Sequence, residues 1–546
     1  MDQLCLALTP VCGETRRTVI NARSDPGDPV VAAAPSLSNI DYPGGFYREL
    51  SPVHLNFVCA LNGHAAPNLG EAFTYCELGC GVGDTTTLLA AAYPQGRFVG
   101  IDLNASHIAQ ARQLAAAGQV SNVEYIAGDI ARLDTDSLPD FDYVTLHGLY
   151  AWVPPAVQEA IRHFLRDKLR PGGVVYLSYN AMPGWGSASP LRRFFLDRKD
   201  QLGDDVLAGV RRIVGELVWL RDQGAGFFRD NPVTADIVRT LESADPRYIV
   251  HEYFSHDWHP AYFADVDEQL RTCGLSFVGQ TGVIDSLLAH SVNPPFAERL
   301  RDIDDRVARE SLRDFIQNRF FRRDVYIKPL PGTLPIPGEE RFDQTLLGLI
   351  ADPVQIPSTI HFPDAPSVTL DEHRLAYVKH RLGYRVKTFA ELSDDPTLSP
   401  ADRATLRDDL KLMAAGGFCA PCLSREIEPS REPVERIALP SPLNRVLLER
   451  HGWSENQLLL VSPVLGNCVA LNGIEAVLLA SLQQDRALPW VWDRLQKNGI
   501  AINSESAGTP IEDRDAGIQA LDDAMARFLR YKLPKLAFLG VVGAAS

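Results

Sequence analysis

The sequence predicts an α/β fold: a doubly wound seven-stranded sheet with helical insertions and additional C-terminal α-rich domains. Three observations carry this. Short apolar runs alternate with helix-length segments between residues 41 and 180, the pattern of a parallel sheet covered on both faces. The first run feeds straight into Glu77-Leu78-Gly79-Cys80-Gly81-Val82-Gly83, with glycine at every second position. The second run ends on an acid, Asp102.

The elements follow in order. Residues 73–78 read as strand one and 84–93 as its helix; 97–102 is strand two, with a helix over 104–118. Strand three is 123–127, and strand four is 141–147, followed by a helix over 154–169. Pro171-Gly172-Gly173 turns into strand five, 174–179. Residues 185–245 are helical, with Val206, Val210, Ile213, Val214, Leu217 and Leu220 at helical spacing. A helix at 261–272, strand 275–279, a helix near 295–315 and strand 320–328 complete the sheet. The core thus runs over 41–330, with a helical insertion at about 185–315. A linker with four prolines and two glycines follows at 329–339. Beyond it lie a middle domain, 331–435, and a C-terminal helical domain, 436–546, with helices around 442–450, 474–483 and 516–532. Residues 1–40, rich in small residues, Asp and Pro without periodicity, read as a disordered leader.

The glycine turn is a place for a nucleotide-like ligand. Without a Cβ, its backbone can approach a ligand closely. The helix N-terminus behind it favours a carboxylate, and Glu77 can meet an amino group. The third glycine comes one residue too early for the dinucleotide pattern G-x-G-x-x-G, which points to S-adenosylmethionine (SAM) rather than NAD. Asp102 is placed to accept hydrogen bonds from two ribose hydroxyls. The competing reading is a helix N-cap, for which Asp102 and Asn104 are both suited. Gly128-Asp129-Ile130 offers an acid to the adenine amino group and an apolar cover to the ring. The expected cofactor contacts are therefore Glu77, Gly79, Cys80, Gly81, Gly83, Asp102, Leu103, Asp129, Ile130 and His147.

Ligands in open α/β sheets bind beyond the carboxyl ends of the strands. Two loops leave there: His147-Gly148-Leu149-Tyr150-Ala151-Trp152-Val153-Pro154 and Ser178-Tyr179-Asn180-Ala181-Met182-Pro183-Gly184-Trp185. His147, Tyr150, Trp152, Tyr179 and Asn180 are the candidate catalytic residues on the acceptor side. Tyr150, Tyr179 and Asn180 would orient a nitrogen lone pair, and His147 would accept a proton; loop packing alone competes for each. His251-Glu252-Tyr253-Phe254-Ser255-His256-Asp257-Trp258-His259 lacks a helical His-x-x-x-His pair and reads as a loop packed on the active-site side. Cys419-Ala420-Pro421-Cys422 has no second pair. No metal is expected.

Composition narrows the setting. A chain of 546 residues implies about three or four domains. A net charge of −16 and a pI near 5.3 argue against a nucleic-acid partner. No apolar run is long enough for a bilayer, and the N-terminus lacks signal-peptide character. Nine scattered cysteines read as reduced thiols. The expectation is a cytoplasmic protein without membrane insertion.

These residues resemble those of bacterial class I SAM-dependent methyltransferases with a methyltransferase regulatory domain, similar to rickettsial protein-lysine methyltransferases. The resemblance rests on Tyr42-Pro43-Gly44-Gly45-Phe46-Tyr47-Arg48-Glu49-Leu50-Ser51-Pro52, on the glycine turn with Asp102, and on the loops from His147 and Ser178. It also uses His251-Glu252-Tyr253 with Trp258. It covers 41–330 most fully; beyond 340, Ser462-Pro463-Val464 and the helix after Gly473 are similar to the family's C-terminal domain. It implies a Rossmann-like class I methyltransferase fold, SAM without metal, and a regulatory region within 185–315. It also implies a homodimer and an N-terminal strip that closes over the site. The implied reaction is methyl transfer from SAM to a protein lysine side chain. Fold does not decide the acceptor, so a small-molecule N- or O-methyltransferase and a non-catalytic SAM-binding scaffold are the rival readings.

Overall fold

Seven apolar runs pair into one sheet: β1 (Phe73–Leu78), β2 (Gly96–Asp102), β3 (Val123–Ala127), β4 (Phe141–Leu146), β5 (Leu169–Asn180), β6 (Ser276–Gln280) and β7 (Phe321–Ile327). In this computed structural model their order is β3-β2-β1-β4-β5-β7-β6. Strands β1 to β5 run parallel, and β7 is antiparallel to both β5 and β6. The strand order reverses between β1 and β4, where a crevice opens at the carboxyl ends. The described residues are 8–10, 45–255, 257–330, 338–363, 365–425, 437–453, 457–503 and 509–544.

The strands read as unbroken apolar runs because both faces are covered. Cys76, Leu78, Val144, Leu146, Val175 and Leu177 enter one core layer. Tyr75, Phe98, Tyr143, Val174 and Tyr176 enter the other. Helices α1 (Pro52–Leu61), α2 (Asp84–Ala92), α3 (Ala105–Ala117) and α4 (Pro155–Lys168) supply the flanking layers. The insertion folds as α5 (Gly184–Leu196), α6 (Val206–Asp222), α7 (Pro232–Ser243) and α8 (Pro246–Phe254). Val210, Ile213 and Leu217 of α6 meet Phe195, Val238 and Tyr253 in a core of its own, whereas Leu220 is only partly buried there. Next come α9 (Phe263–Arg271), a short helix Pro294–Arg301, and α10 (Arg306–Gln317). The single helix expected near 295–315 is thus two. The break falls where Asp305 caps α10, accepting a hydrogen bond from the Ala308 amide at 2.6 Å.

Residues 338–425 contribute a small sheet of Leu346–Leu349, Val386–Thr388 and Cys419–Pro421. Residues 437–544 are rich in helix and include the hairpin Leu458–Ser462/Asn467–Leu471. Val386 and Cys422 share a core with Leu460, Ile474 and Phe538, so the two segments pack as one body. The turn of the hairpin grips the catalytic core. Ser51 and Tyr93 both donate their hydroxyls to the Gly466 carbonyl, at 2.7 and 2.8 Å, and Asn467 Nδ2 donates to the Arg48 carbonyl at 3.0 Å. Of the leader, Leu8–Pro10 pairs with Ile500–Ile502, and the rest lies outside the described residues, as do Tyr42-Pro43-Gly44 and most of the linker. No described helix is long and apolar enough to cross a membrane.

Candidate active site

The glycine turn joins β1 to α2 with φ of +75° at Gly79, +54° at Gly81 and +76° at Gly83, a left-handed backbone that favours glycine. Their surroundings differ. A Cβ on Gly83 would lie 2.5 Å from Ala111 Cβ and 2.9 Å from Tyr125 Oη, so this glycine lets α2 close onto α3. A Cβ on Gly81 would meet nothing within 4 Å, and its backbone faces an open cavity. Asp102 shapes the turn from the end of β2. Its Oδ2 accepts the Gly81 amide at 2.9 Å and its Oδ1 the Asn104 amide at 2.8 Å. Asn104, not Asp102, is the N-cap of α3.

Glu77 lies buried at the foot of the turn and accepts a short hydrogen bond from the Thr86 hydroxyl. Burial pushes its carboxyl up to about 8, against that hydrogen bond, with the charges of Asp102 and Asp84 adding to the rise. Burial also raises Asp84, to about 6.

Across the cavity, of about 710 Å³, the wall is aromatic. That size suits a small-molecule ligand. Tyr47 of the N-terminal strip stacks on His147 with ring centroids 3.6 Å apart, and its amide donates to Thr85 Oγ1 at 3.2 Å. His147 Nδ1 lies 2.7 Å from Tyr176 Oη, and burial lowers the imidazole to about 4. The ring is neutral and too weakly basic to serve as the expected proton acceptor; what it offers is a face. Asn180 Oδ1 is buried with no hydrogen-bond partner among the described residues. Trp152 and Trp185 continue the wall, and α8 adds Tyr248, His251 and Glu252. Burial pushes Glu252 up to about 7, with Arg192 opposing.

The cavity thus gathers Glu77, Gly79, Cys80, Gly81, Asp102, His147, Trp152 and Asn180 from the expected set. Others stand apart. Gly83 serves helix packing, and Leu103 is 75% exposed outside the wall. Ile130 is outside it too, and Asp129 instead accepts the Ala131 amide at 3.0 Å and lies 3.6 Å from Arg132. Two acceptor-side expectations need correction. Tyr150 points between α4 and α9, donating to Gln269 Oε1 at 2.7 Å and accepting from Arg162 at 2.9 Å. Tyr179 is buried on the far face of β5, donating to Asp324 at 2.8 Å beside Arg322. Successive strand side chains take opposite faces, so Tyr176, Ser178 and Asn180 share the cavity side and Tyr179 cannot. The segment read as a loop at 251–254 is the last turn of α8; His256 lies outside the described residues.

Residues 76–173 match the methyltransferase domain family, and residues 245–328 match the predicted methyltransferase regulatory domain. The uncharacterized protein sll1526 of Synechocystis sp. is 30% identical over 503 residues, covering 92% of this chain and 98% of that protein. The chain belongs to the SAM-dependent methyltransferases with a methyltransferase regulatory domain. A trans-aconitate 2-methyltransferase of Azoarcus sp. is 34% identical over 110 residues, 20% of this chain and 39% of that enzyme. In fold, the methyltransferase is similar to PKMT2 from Rickettsia typhi, with a TM-score of 0.70 over 91% of this chain and 100% of that one at 19% identity. The regulatory domain contains the whole of α8, so it supplies the methyltransferase with Tyr248, His251 and Glu252. Glu252 was visible in the sequence only as the acid inside an aromatic and histidine run.

Proposed function

We propose that this methyltransferase transfers the methyl group of SAM to the side-chain amine of a protein lysine, in the cytoplasm and as a homodimer. The observation that carries the reading is a single cavity with two chemistries: a glycine-turn wall with three acids, and an aromatic wall with an unpartnered Asn180 oxygen and a half-buried Glu252.

The residues present fit SAM. The open side of Gly81 admits a ligand against backbone, and Glu77 sits where a positive amino group would restore its charge. Asp102 accepts the Gly81 and Asn104 amides and has His107 Nδ1 3.5 Å from its Oδ1, and a carboxylate's roughly four acceptor positions leave about one for a ribose hydroxyl. When bound, SAM supplies a methyl group activated by its sulfonium. The chain's own task is to position and desolvate the acceptor. A lysine amine has a pKa of about 10.4 in water; burial favours its neutral, nucleophilic form, so an acceptor that enters as the ammonium would release its proton to solvent before the lone pair attacks the methyl carbon. Asn180 Oδ1 would accept an N–H of that amine and aim its lone pair. The lysine assignment draws on the resemblance to rickettsial protein-lysine methyltransferases and on the fold shared with PKMT2.

Incubating the full-length protein with isotope-labelled SAM and cell lysate, then mapping peptides by mass spectrometry, tests this. Labelled methyl-lysine is the expected product. Label confined to the small-molecule fraction would replace lysine with a small acceptor. No SAM binding by calorimetry would reject catalysis altogether. Light scattering on the same sample checks the dimer.

A further inference from the structure

We propose that Glu252, which lines one cavity with Tyr248, Tyr47, Trp152 and Trp185, is the subsite that receives the acceptor as an alkylammonium, unmethylated or already methylated. This deepens the reading above and rests on it.

Glu252 is an acid that feels the opposite charge of Arg192 without forming an ion pair with it. Among the described residues it makes no hydrogen bond, and no Lys or Arg lies within ion-pair distance of it. Arg192 donates through Nη2 to the Ser255 carbonyl and lies over the Trp258 ring at 4.9 Å, while its Nε has no hydrogen-bond partner among the described residues. Arg323, in the same wall, pairs with Glu49 at 3.2 Å. A half-buried carboxylate in this position is costly unless a cation joins it.

The neighbours are what a cation prefers. Tyr248 lies one turn before Glu252 on α8, and its phenol feels the charges of both Glu252 and Tyr47. Trp185 is held edge-on against Trp258 at 5.0 Å and Phe320 at 5.7 Å. Trp152 stands 6.4 Å from the Trp258 ring. Aromatic faces attract ammonium groups, and quaternary ammonium ligands are recognised by such cages. An acid within an aromatic wall therefore selects a cation over a neutral alcohol or a carboxylate. The rings also tolerate added methyl groups, which a tight hydrogen-bonded pocket would reject.

The test uses the full-length protein saturated with S-adenosylhomocysteine and three probes: n-butylammonium, n-butyltrimethylammonium and neutral n-pentanol, with binding read by ligand-observed NMR. Both ammonium probes should bind at least about tenfold more tightly than n-pentanol. Glu252→Gln, nearly isosteric, should lower ammonium affinity about tenfold or more while SAM affinity stays within about twofold and thermal stability is kept. Equal binding of n-pentanol, or ammonium affinity unchanged in Glu252→Gln, would overturn the subsite. The two readings separate in lysate labelling. Undiminished lysine methylation by Glu252→Gln removes the subsite and leaves the function. Glu252-dependent ammonium binding without any methyl-lysine removes the lysine reading and leaves the subsite.

Discussion

The two walls of the cavity are built by different means. The donor wall comes from one stretch, residues 77 to 107, and its shape lies in backbone: three positive φ angles and amides held by Asp102. The acceptor wall comes from the N-terminal strip, the ends of β4 and β5, α8 and the start of β7, and its shape lies in side chains. A backbone-built wall cannot change without disturbing the fold beneath it. A wall of side chains from distant segments can be revised one residue at a time. On the reading proposed above, the backbone-built wall would hold the methyl donor and the side-chain wall would select the acceptor.

The sharpest way to break the comparison is Asp102→Ala. It removes the acceptor of two amide hydrogen bonds, each worth about 1.5–3 kcal/mol when a charge is involved. SAM affinity measured by calorimetry should fall about 100-fold or more. Tyr248→Ala, on the other wall, should leave SAM affinity within about threefold. Comparable losses from both would mean the walls do not divide donor from acceptor.

A smaller effect sharpens the donor wall. The Glu77 carboxyl titrates near 8 in the folded protein against an ordinary value of 4.5. An acid raised in this way binds a proton more tightly when folded. Its favourable contribution is complete below 4.5 and is lost as pH rises through about 8. A ligand bearing an ammonium next to Glu77 favours the ionised form, so SAM binding should release close to one proton near pH 7 and tighten about tenfold from pH 6 to 7. Calorimetry in buffers of different ionisation enthalpy reads the released proton directly. In Glu77→Gln the release should vanish; its persistence would place the titration elsewhere.

This division also sets what could be read from sequence. The donor wall was legible because a short contiguous run obeys local rules: glycine where φ is positive, an acid closing the next strand. The sheet was legible for the same reason, each apolar run being followed by its helix. Tyr179 closes the strand expected at 174–179, and because β5 extends one residue further, through Asn180, alternation turns Tyr179 to the face opposite Asn180. Tyr150 differs: its hydroxyl is used between helices, by Arg162 on α4 and by Gln269, 119 residues away, and the second contact has no local signal. Glu252 shows in the sequence only as the acid of the 251–259 run and Arg323 carries no local signal, since a helix of the regulatory domain and an antiparallel strand bring them to the cavity.

The smallest effect concerns how the C-terminal body reaches the acceptor wall. Asn467, at the hairpin turn, donates to the Arg48 carbonyl at 3.0 Å, and the adjacent Gly466 carbonyl takes the Ser51 hydroxyl. Between these anchors and Gly45 the strip holds Tyr47 against His147. Asn467→Ala removes two hydrogen bonds, the one to the Arg48 carbonyl and the one its Oδ1 accepts from the Cys468 amide at 2.9 Å, each worth about 1 kcal/mol, and leaves no buried charge behind. The strip would then spend more time away from the cavity, at a cost to the wall that Tyr47 completes. Steady-state assays with a mapped lysine substrate should show KM for that acceptor rising about three- to fivefold, with kcat and SAM affinity close to the original. A Tyr47→Ala variant should reproduce the same change, and adding Asn467→Ala to it should then have little further effect, because the hydrogen bond acts through the ring it helps to place. An equal, additive loss in the double variant would show that the hairpin supports the acceptor wall by some route other than the strip.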